Sequence, residues 1–174
     1  PELSDLVHEK SMSSARFMKS IRARNYDGLV LVKVSVKPHT PMSLKSYGDK
    51  IIRERDKLRD VPNALGFERV FETENNAYLL RQWLYSSLYD RLSTRPFLED
   101  IEKKWIAFQL LCALRDCHAR DVYHGDIKTE NILVTSWNWL YLTDFSGSFK
   151  PTRLPDNNPA LYSYFFDIST RRVC

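Results

Sequence analysis

Two short stretches of this chain have residue types and spacing that could do chemistry: His124-Gly125-Asp126-Ile127-Lys128-Thr129-Glu130-Asn131, and then Asp144-Phe145-Ser146-Gly147. The chemistry would be phosphoryl transfer. Asp126 is placed to accept the proton of an attacking hydroxyl. Asn131, five residues further on (131 − 126 = 5), and Asp144 are placed to hold the Mg²⁺ ions that neutralise a triphosphate. Lys128, two residues after Asp126, can meet the transferring phosphate as a point charge. A loop Asp alone is more often a turn or cap residue, but that bland reading does not explain Lys128, Asn131 and Asp144 at their offsets. His124 reads as structural, holding the loop by hydrogen bonds.

The rest of the chain has to position these groups. Residues 1–12 show weak patterning and read as an extension over the first sheet, and Ser13 to Arg24 as two short strands around a turn. Gly28 then leads into Leu29 to Val36, a strongly β-branched strand. Tyr47, Ile51, Glu54 and Leu58 recur at helical spacing, and Pro62 ends that helix. Phe67 to Phe71 and Ala77 to Trp83 read as strands joined at Glu74-Asn75-Asn76. Ser86 to Leu92 is a short amphipathic piece. Leu98 to Arg120 reads as a long helix with Ile101, Trp105, Phe108 and Cys112 on a wide apolar face expected to be buried in a helical lobe. Ile132 to Thr135 and Leu140 to Thr143 are short strands that bracket Ser136-Trp137-Asn138-Trp139.

Lys33 interrupts an apolar strand. It reads either as an edge lysine facing solvent or as the lysine that grips the α- and β-phosphates in the protein-kinase signature. Glu54 shares a helix face with Ile51 and Leu58, where a charge is costly unless paired. It is expected to pair with Lys33, against the simpler option of Arg55 or Lys50. Three departures from the signature stand out. Gly125 replaces the arginine that pairs with an activation-loop phosphate, which argues against that switch. Gly147 falls one place late. The chain has only 5 Gly, and no glycine-rich loop precedes Lys33. The equivalent turn reads as Ser13-Ser14-Ala15-Arg16-Phe17, whose side chains hinder close backbone approach to phosphate.

At 174 residues, 43% hydrophobic and 28% charged, the chain suits one globular domain with a core. It is short for a two-lobed kinase and is expected to be a piece cut at both ends. The net charge of +4 comes from dispersed basic residues, with Lys50 to Arg59 alternating with acids. This is the pattern of a solvated helix face and not of a nucleic-acid stripe. Three cysteines without paired spacing exclude a disulfide framework or zinc site and suit a reduced cytoplasmic setting. No apolar run approaches the length of a membrane span.

Longer strings go beyond the generic signature. They include Arg16-Phe17-Met18-Lys19, Gly28-Leu29-Val30-Leu31-Val32-Lys33-Val34, Leu88-Tyr89-Asp90-Arg91-Leu92-Ser93-Thr94-Arg95-Pro96-Phe97-Leu98, Thr135-Ser136-Trp137-Asn138-Trp139 and Tyr164-Phe165-Phe166-Asp167. From about Ser13 to Cys174 the chain resembles the protein-kinase domain of the regulatory subunit of the class III phosphatidylinositol 3-kinase complex. The resemblance implies an α+β, protein-kinase-like two-lobed fold, truncated. Its N-lobe would be an antiparallel sheet plus one helix, followed by the first part of the helical C-lobe. The divisions are 1–12 (extension), 13–84 (N-lobe and hinge) and 85–174 (C-lobe through the catalytic loop and part of the activation segment). The implied nucleotide-binding set is Lys33, Glu54, the hinge Gln82, Trp83 and Leu84, and Ser13 and Ser14, with Asp126 and Lys128 catalytic and Asn131 and Asp144 as metal ligands. Arg81 falls at the gatekeeper place, which leaves the preferred base open, so ATP is expected with GTP as an option, together with Mg²⁺. Implied partners are the lipid-kinase catalytic subunit and a coiled-coil autophagy or sorting subunit. Implied location is cytoplasmic and peripheral on endosomal, Golgi or autophagic membranes, reached through a lipidated N-terminus.

Three functional readings follow. One is a Ser/Thr protein kinase. A second is a pseudokinase-like scaffold that binds nucleotide and restrains the lipid kinase. The third is a small-molecule phosphotransferase of the aminoglycoside or choline kinase type, whose loops also read His-Gly-Asp but which Lys128 and Phe145 disfavour. A plain α+β domain without chemistry needs the whole site to be coincidence.

Overall fold

The computed structural model describes residues 3–14, 18–37 and 43–146, together with the backbone of two short strands, 166–167 and 172–173. The N-terminal half is an antiparallel sheet backed by one helix. Its strands are β1 (Val7–Ser14), β2 (Met18–Asn25), β3 (Gly28–Val36), β5 (Arg69–Glu72) and β6 (Asn76–Gln82), in the spatial order β1-β2-β3-β6-β5. The β-branched run of β3 takes the middle place, where both faces are covered. Asn25 Oδ1 accepts the backbone N–H groups of Asp27 and Gly28 at 3.0 and 2.9 Å, which closes the β2–β3 turn. Gly28 there sits at φ +132°, open to it because it has no Cβ.

Paired residues share a face of a sheet. Ser20, Lys33 and Leu79 therefore lie on one side, joined by Arg22, Leu31 and Arg81. The helix α1 (Lys45–Leu58) covers part of that side through a core of Met18, Ile51, Phe67 and Leu79. Gly48 permits the close approach, since a Cβ there would meet Val70 Cγ1 at 3.2 Å. The opposite face buries Ala23, Val30, Val32 and Leu80. Charged side chains of β3 and β6 thus point into the cleft, and the apolar residues between them point away.

The second half holds α2 (Leu88–Ser93), α3 (Asp100–His118), a 3₁₀ turn at Thr129–Asn131, and the hairpin β7 (Ile132–Val134) and β8 (Leu140–Thr143). Both helices begin with capping boxes, Ser87 with Asp90 and Glu99 with Glu102. The short strand β4 (Ala64–Leu65), just after α1, pairs in parallel with β8, and Leu58 and Val61 join the core of the second half. The tail of α1 is therefore stapled to the strand that delivers Asp144. Two further two-residue strands, β9 (Phe166–Asp167) and β10 (Arg172–Val173), pair antiparallel.

The fold class is as the sequence indicates, an antiparallel sheet with one helix followed by a partial helical lobe. Two placements differ. β1 begins at Val7, within the stretch read as an extension, and pairs with β2 along its length. Its residues are polar on both faces, and register shifts interrupt it between His8 and Lys10 and between Ser11 and Ser13, so no alternation marks it. The α3 face named from sequence is the outward one. Ile101, Trp105 and Phe108 are exposed, whereas Ile106, Gln109, Ala113 and Cys117 are buried. The helix is apolar around most of its circumference, so periodicity did not choose the side that packs on β8.

Gln109 is the polar centre of that packing. Its Oε1 accepts the Leu140 N–H at 3.0 Å and the Asn63 amide at 3.4 Å, and its Nε2 donates to the Asn138 carbonyl at 2.8 Å. Asn63 in turn donates to the Leu140 carbonyl at 2.9 Å, and its own carbonyl accepts the Leu142 N–H at 2.8 Å. Replacing Gln109 with Met strands several buried polar groups, each at a cost of about 1–3 kcal/mol. Gln109→Met is expected to lower the denaturation midpoint by at least one such increment. A midpoint within error of the parent's would show that the network is not needed.

Candidate active site

β3 and the segment after β8 meet across the cleft. Lys33 Nζ forms an ion pair with Asp144 Oδ2, and both side chains are largely buried. Asp144 sits at φ +74°, a left-handed conformation that Asp tolerates better than most residues. Ser146 steadies it. The Ser146 N–H donates to the Asp144 carbonyl at 2.7 Å, and the Ser146 hydroxyl lies 3.4 Å from Oδ1. The sequence reading registered Ser146 only as a missing glycine and did not foresee this contact.

The catalytic loop is held from below. The Asp126 backbone N–H donates to His124 Nδ1 at 3.2 Å, so the proton of the ring is on Nε2, which donates to the Thr143 carbonyl at 2.6 Å. His124 is buried and packs edge-on against Phe145 with ring centroids 4.8 Å apart. One ring thus fixes Asp126 to the turn that carries Asp144. Gly125 takes φ +75°, where a side chain would cost about 1–2 kcal/mol. Asn131 Nδ2 donates to the Asp126 carbonyl at 2.8 Å and to its Oδ2 at 3.0 Å. Lys128 Nζ lies 3.1 Å from the same Oδ2. Asp126, Lys128 and Asn131 therefore form one cluster, referred through His124 to the turn that carries Asp144.

The predicted partner of Lys33 is corrected. Glu54 pairs with Lys50 at 3.8 Å, one helical turn away, and the pairing recorded for Lys33 is with Asp144. Burial pushes the Glu54 carboxyl above its ordinary 4.5, while Lys50, Lys57 and Arg53 pull it part of the way back. Ser13 and Ser14 end β1 opposite Ser20 and Lys19, and Ala15 to Phe17 lie outside the described residues, as does Gly147. At the hinge, the Trp83 N–H donates to the Leu29 carbonyl at 3.0 Å and the Gln82 carbonyl accepts from Arg81 Nη1 at 2.9 Å. Leu84 follows the end of β6. Trp83 Nε1 and Arg81 Nε are buried without a hydrogen-bond partner, two orphan donors in the wall of the cleft.

These groups suit a metal-bound triphosphate. Asn131 and Asp144 offer hard oxygen atoms, and Mg²⁺ is commonly held by one or two such side chains with the remaining positions filled by phosphate and water. Among the described residues there is no cluster of three or more His, Cys, Asp or Glu that could hold a metal without such help.

A sequence profile described as "Protein kinase domain" matches residues 15–159. The chain is 47% identical over 176 residues to the Arabidopsis thaliana protein named "Serine/threonine-protein kinase VPS15", covering 100% of this chain and 12% of that protein. It is 46% identical over 172 residues to the protein of that name in Saccharomyces cerevisiae, covering 99% of this chain and 12% of the relative. For "Serine/threonine-protein kinase vps15" of Schizosaccharomyces pombe the identity is 50% over 175 residues, with 99% and 10% covered. The chain thus spans about a tenth of the length of these curated relatives.

Glu54 gives a prediction with a definite sign. Its folded carboxyl binds a proton more tightly than its unfolded one, so folding loses stability as pH rises from about 4.5 through the raised value. Glu54→Gln is expected to melt higher than the parent at neutral pH, with the difference vanishing below the ordinary carboxylate range. An advantage that is flat with pH, or a loss at neutral pH, would refute the assignment of a costly buried charge.

Proposed function

This chain belongs to the protein kinase domain family, and from that premise we propose that it transfers the γ-phosphate of a Mg²⁺-bound nucleoside triphosphate, ATP in the first instance, to serine or threonine hydroxyls of proteins. The observation that carries the reading is the cluster of Asp126, Lys128 and Asn131, tied through His124 to the segment whose Asp144 pairs with Lys33. The substrate hydroxyl oxygen attacks the γ-phosphorus, the bond to the β,γ-bridging oxygen breaks, and the hydroxyl proton passes to the Asp126 carboxylate. Lys128 meets the negative oxygens of the transferring group. Lys33 would hold the α- and β-phosphates. Mg²⁺ supplies the neutralisation of the triphosphate, with Asn131 and Asp144 to hold it.

The relatives' names and the resemblance support a wider proposal. The larger protein would be the regulatory subunit of a class III phosphatidylinositol 3-kinase complex. There it would work with the lipid-kinase catalytic subunit and a coiled-coil subunit on endosomal, Golgi or autophagic membranes. A second reading, a nucleotide-binding scaffold that regulates the lipid kinase without phosphotransfer, is favoured by two features. Glu54 is turned to Lys50, and the hinge groups of Gln82 and Trp83 are already engaged.

The test is γ-phosphate transfer by the full-length protein beside its Asp126→Asn twin. Loss of the general base is expected to slow transfer by about 10²- to 10⁴-fold. Equal transfer by the two proteins would sink the kinase reading. Tight nucleotide binding with no transfer from either would install the scaffold in its place.

A further inference from the structure

We infer that Arg81 is a resident cation beside Lys33 on the cleft side of the sheet, one that lets this protein hold a nucleoside triphosphate without a divalent metal. The inference deepens the proposed function and rests on its reading of the cleft as a nucleotide site. Arg81 faces Leu31 across β3 and β6, and the next pair on the same face is Lys33 with Leu79. Arg81 and Lys33 are therefore diagonal neighbours on the cleft side of the sheet, a spacing of about 7–8 Å that long side chains span. Arg81 is only 7% exposed. Among the described residues its side chain makes one hydrogen bond, to the Gln82 carbonyl, and Nε has no partner. A guanidinium so deeply buried is costly unless something answers its charge. Burial pushes it down to about 10, with the nearby Asp144 acting in the opposite direction, so it stays cationic at neutral pH.

Lys33 and Arg81 thus place two cations about the carboxylate of Asp144. That arrangement attracts a polyphosphate. In metal-dependent phosphotransferases the metal carries most of the neutralisation. Here Lys33 and Arg81 already supply a share of it from side chains that need no recruitment.

The experiment is calorimetric titration of the full-length protein with ATP, and separately with GTP, in excess Mg²⁺ and in excess EDTA, beside Arg81→Met and Arg81→Lys. The parent is expected to bind in EDTA within about threefold of its affinity in Mg²⁺. Arg81→Met, of similar bulk without the charge, is expected to lose about tenfold in EDTA and much less in Mg²⁺, with Arg81→Lys in between; a buried charge pair readily accounts for shifts of this size. Binding by the parent in Mg²⁺ that collapses in EDTA overturns this inference alone. Equal losses for Arg81→Met in both buffers also overturn it, since that is the mark of a packing role. No binding of either nucleotide in either buffer overturns the nucleotide reading of the cleft together with it.

Discussion

The ion pair of Lys33 with Asp144 is the constraint on which the arrangement turns. It joins residues 111 apart in sequence, one on the central strand of the sheet and one just beyond β8, and both are largely withdrawn from water. A buried pair of this kind contributes little net stability, yet removing one member leaves an uncompensated charge at a cost of about 3–5 kcal/mol. Its effect is therefore one of register. With Lys33 fixed on β3 and Asp144 fixed after β8, the mouth of the cleft is set, and the catalytic loop needs only to be referred to Asp144. His124 does this by bonding both the Thr143 carbonyl and the Asp126 N–H.

A pair held so tightly depends on stiff support on either side. On the sheet side, the β-branched run of β3 lies between β2 and β6 over most of its length. On the other side, β8 is bonded on one edge to β7 and on the other to β4, while Gln109 and Asn63 satisfy the polar groups of Leu140. Because β4 follows α1 closely, the helix and the turn that carries Asp144 share one hydrogen-bonded frame. The N-terminus of α1 is fixed differently. Leu44 has no capping side chain of its own, and its N–H is taken at 3.0 Å by Glu72, which also pairs with Lys37. α1 is thus pinned at both ends while the middle turn, with Glu54, faces the cleft unpaired with Lys33.

How much of this could be read from the sequence depends on the range of each interaction. The clustering of Asp126, Lys128 and Asn131 was legible because the loop that assembles them is local. The strands with strong alternation or β-branching, β3 above all, were legible for the same reason. Partner choice for Lys33 was not. Glu54 and Asp144 are both acids, and only the tertiary placement of β8 decides between them. β1 escaped because an edge strand with bulges shows no period, and the buried side of α3 escaped because Trp105, Phe108 and Leu111 on one side match Ile106, Ala113 and Cys117 on the other in apolar character. Ser146 could have been read as more than a missing glycine, since a hydroxyl beside a carboxylate is a natural hydrogen-bond partner.

The departures from the kinase signature also fit together physically. Without an arginine at position 125 the loop has no ready partner for an activation-segment phosphate, and Gly125 relaxes into φ +75°, a conformation an arginine would occupy only under strain. The missing arginine argues against control by an added phosphate pulling on that loop. Inside the cleft Lys33 pairs with Asp144, Glu54 with Lys50, and Arg81 is buried with its Nε–H lacking a partner. An arriving triphosphate, on the proposed reading, would answer Lys33 and Arg81. It draws on Lys33, offers acceptors to Arg81, and brings with it any metal that Asp144 is to hold. A kinase and a nucleotide-sensing scaffold share this step in full. They diverge only at Asp126, where the proton of a hydroxyl either finds its acceptor or is never presented.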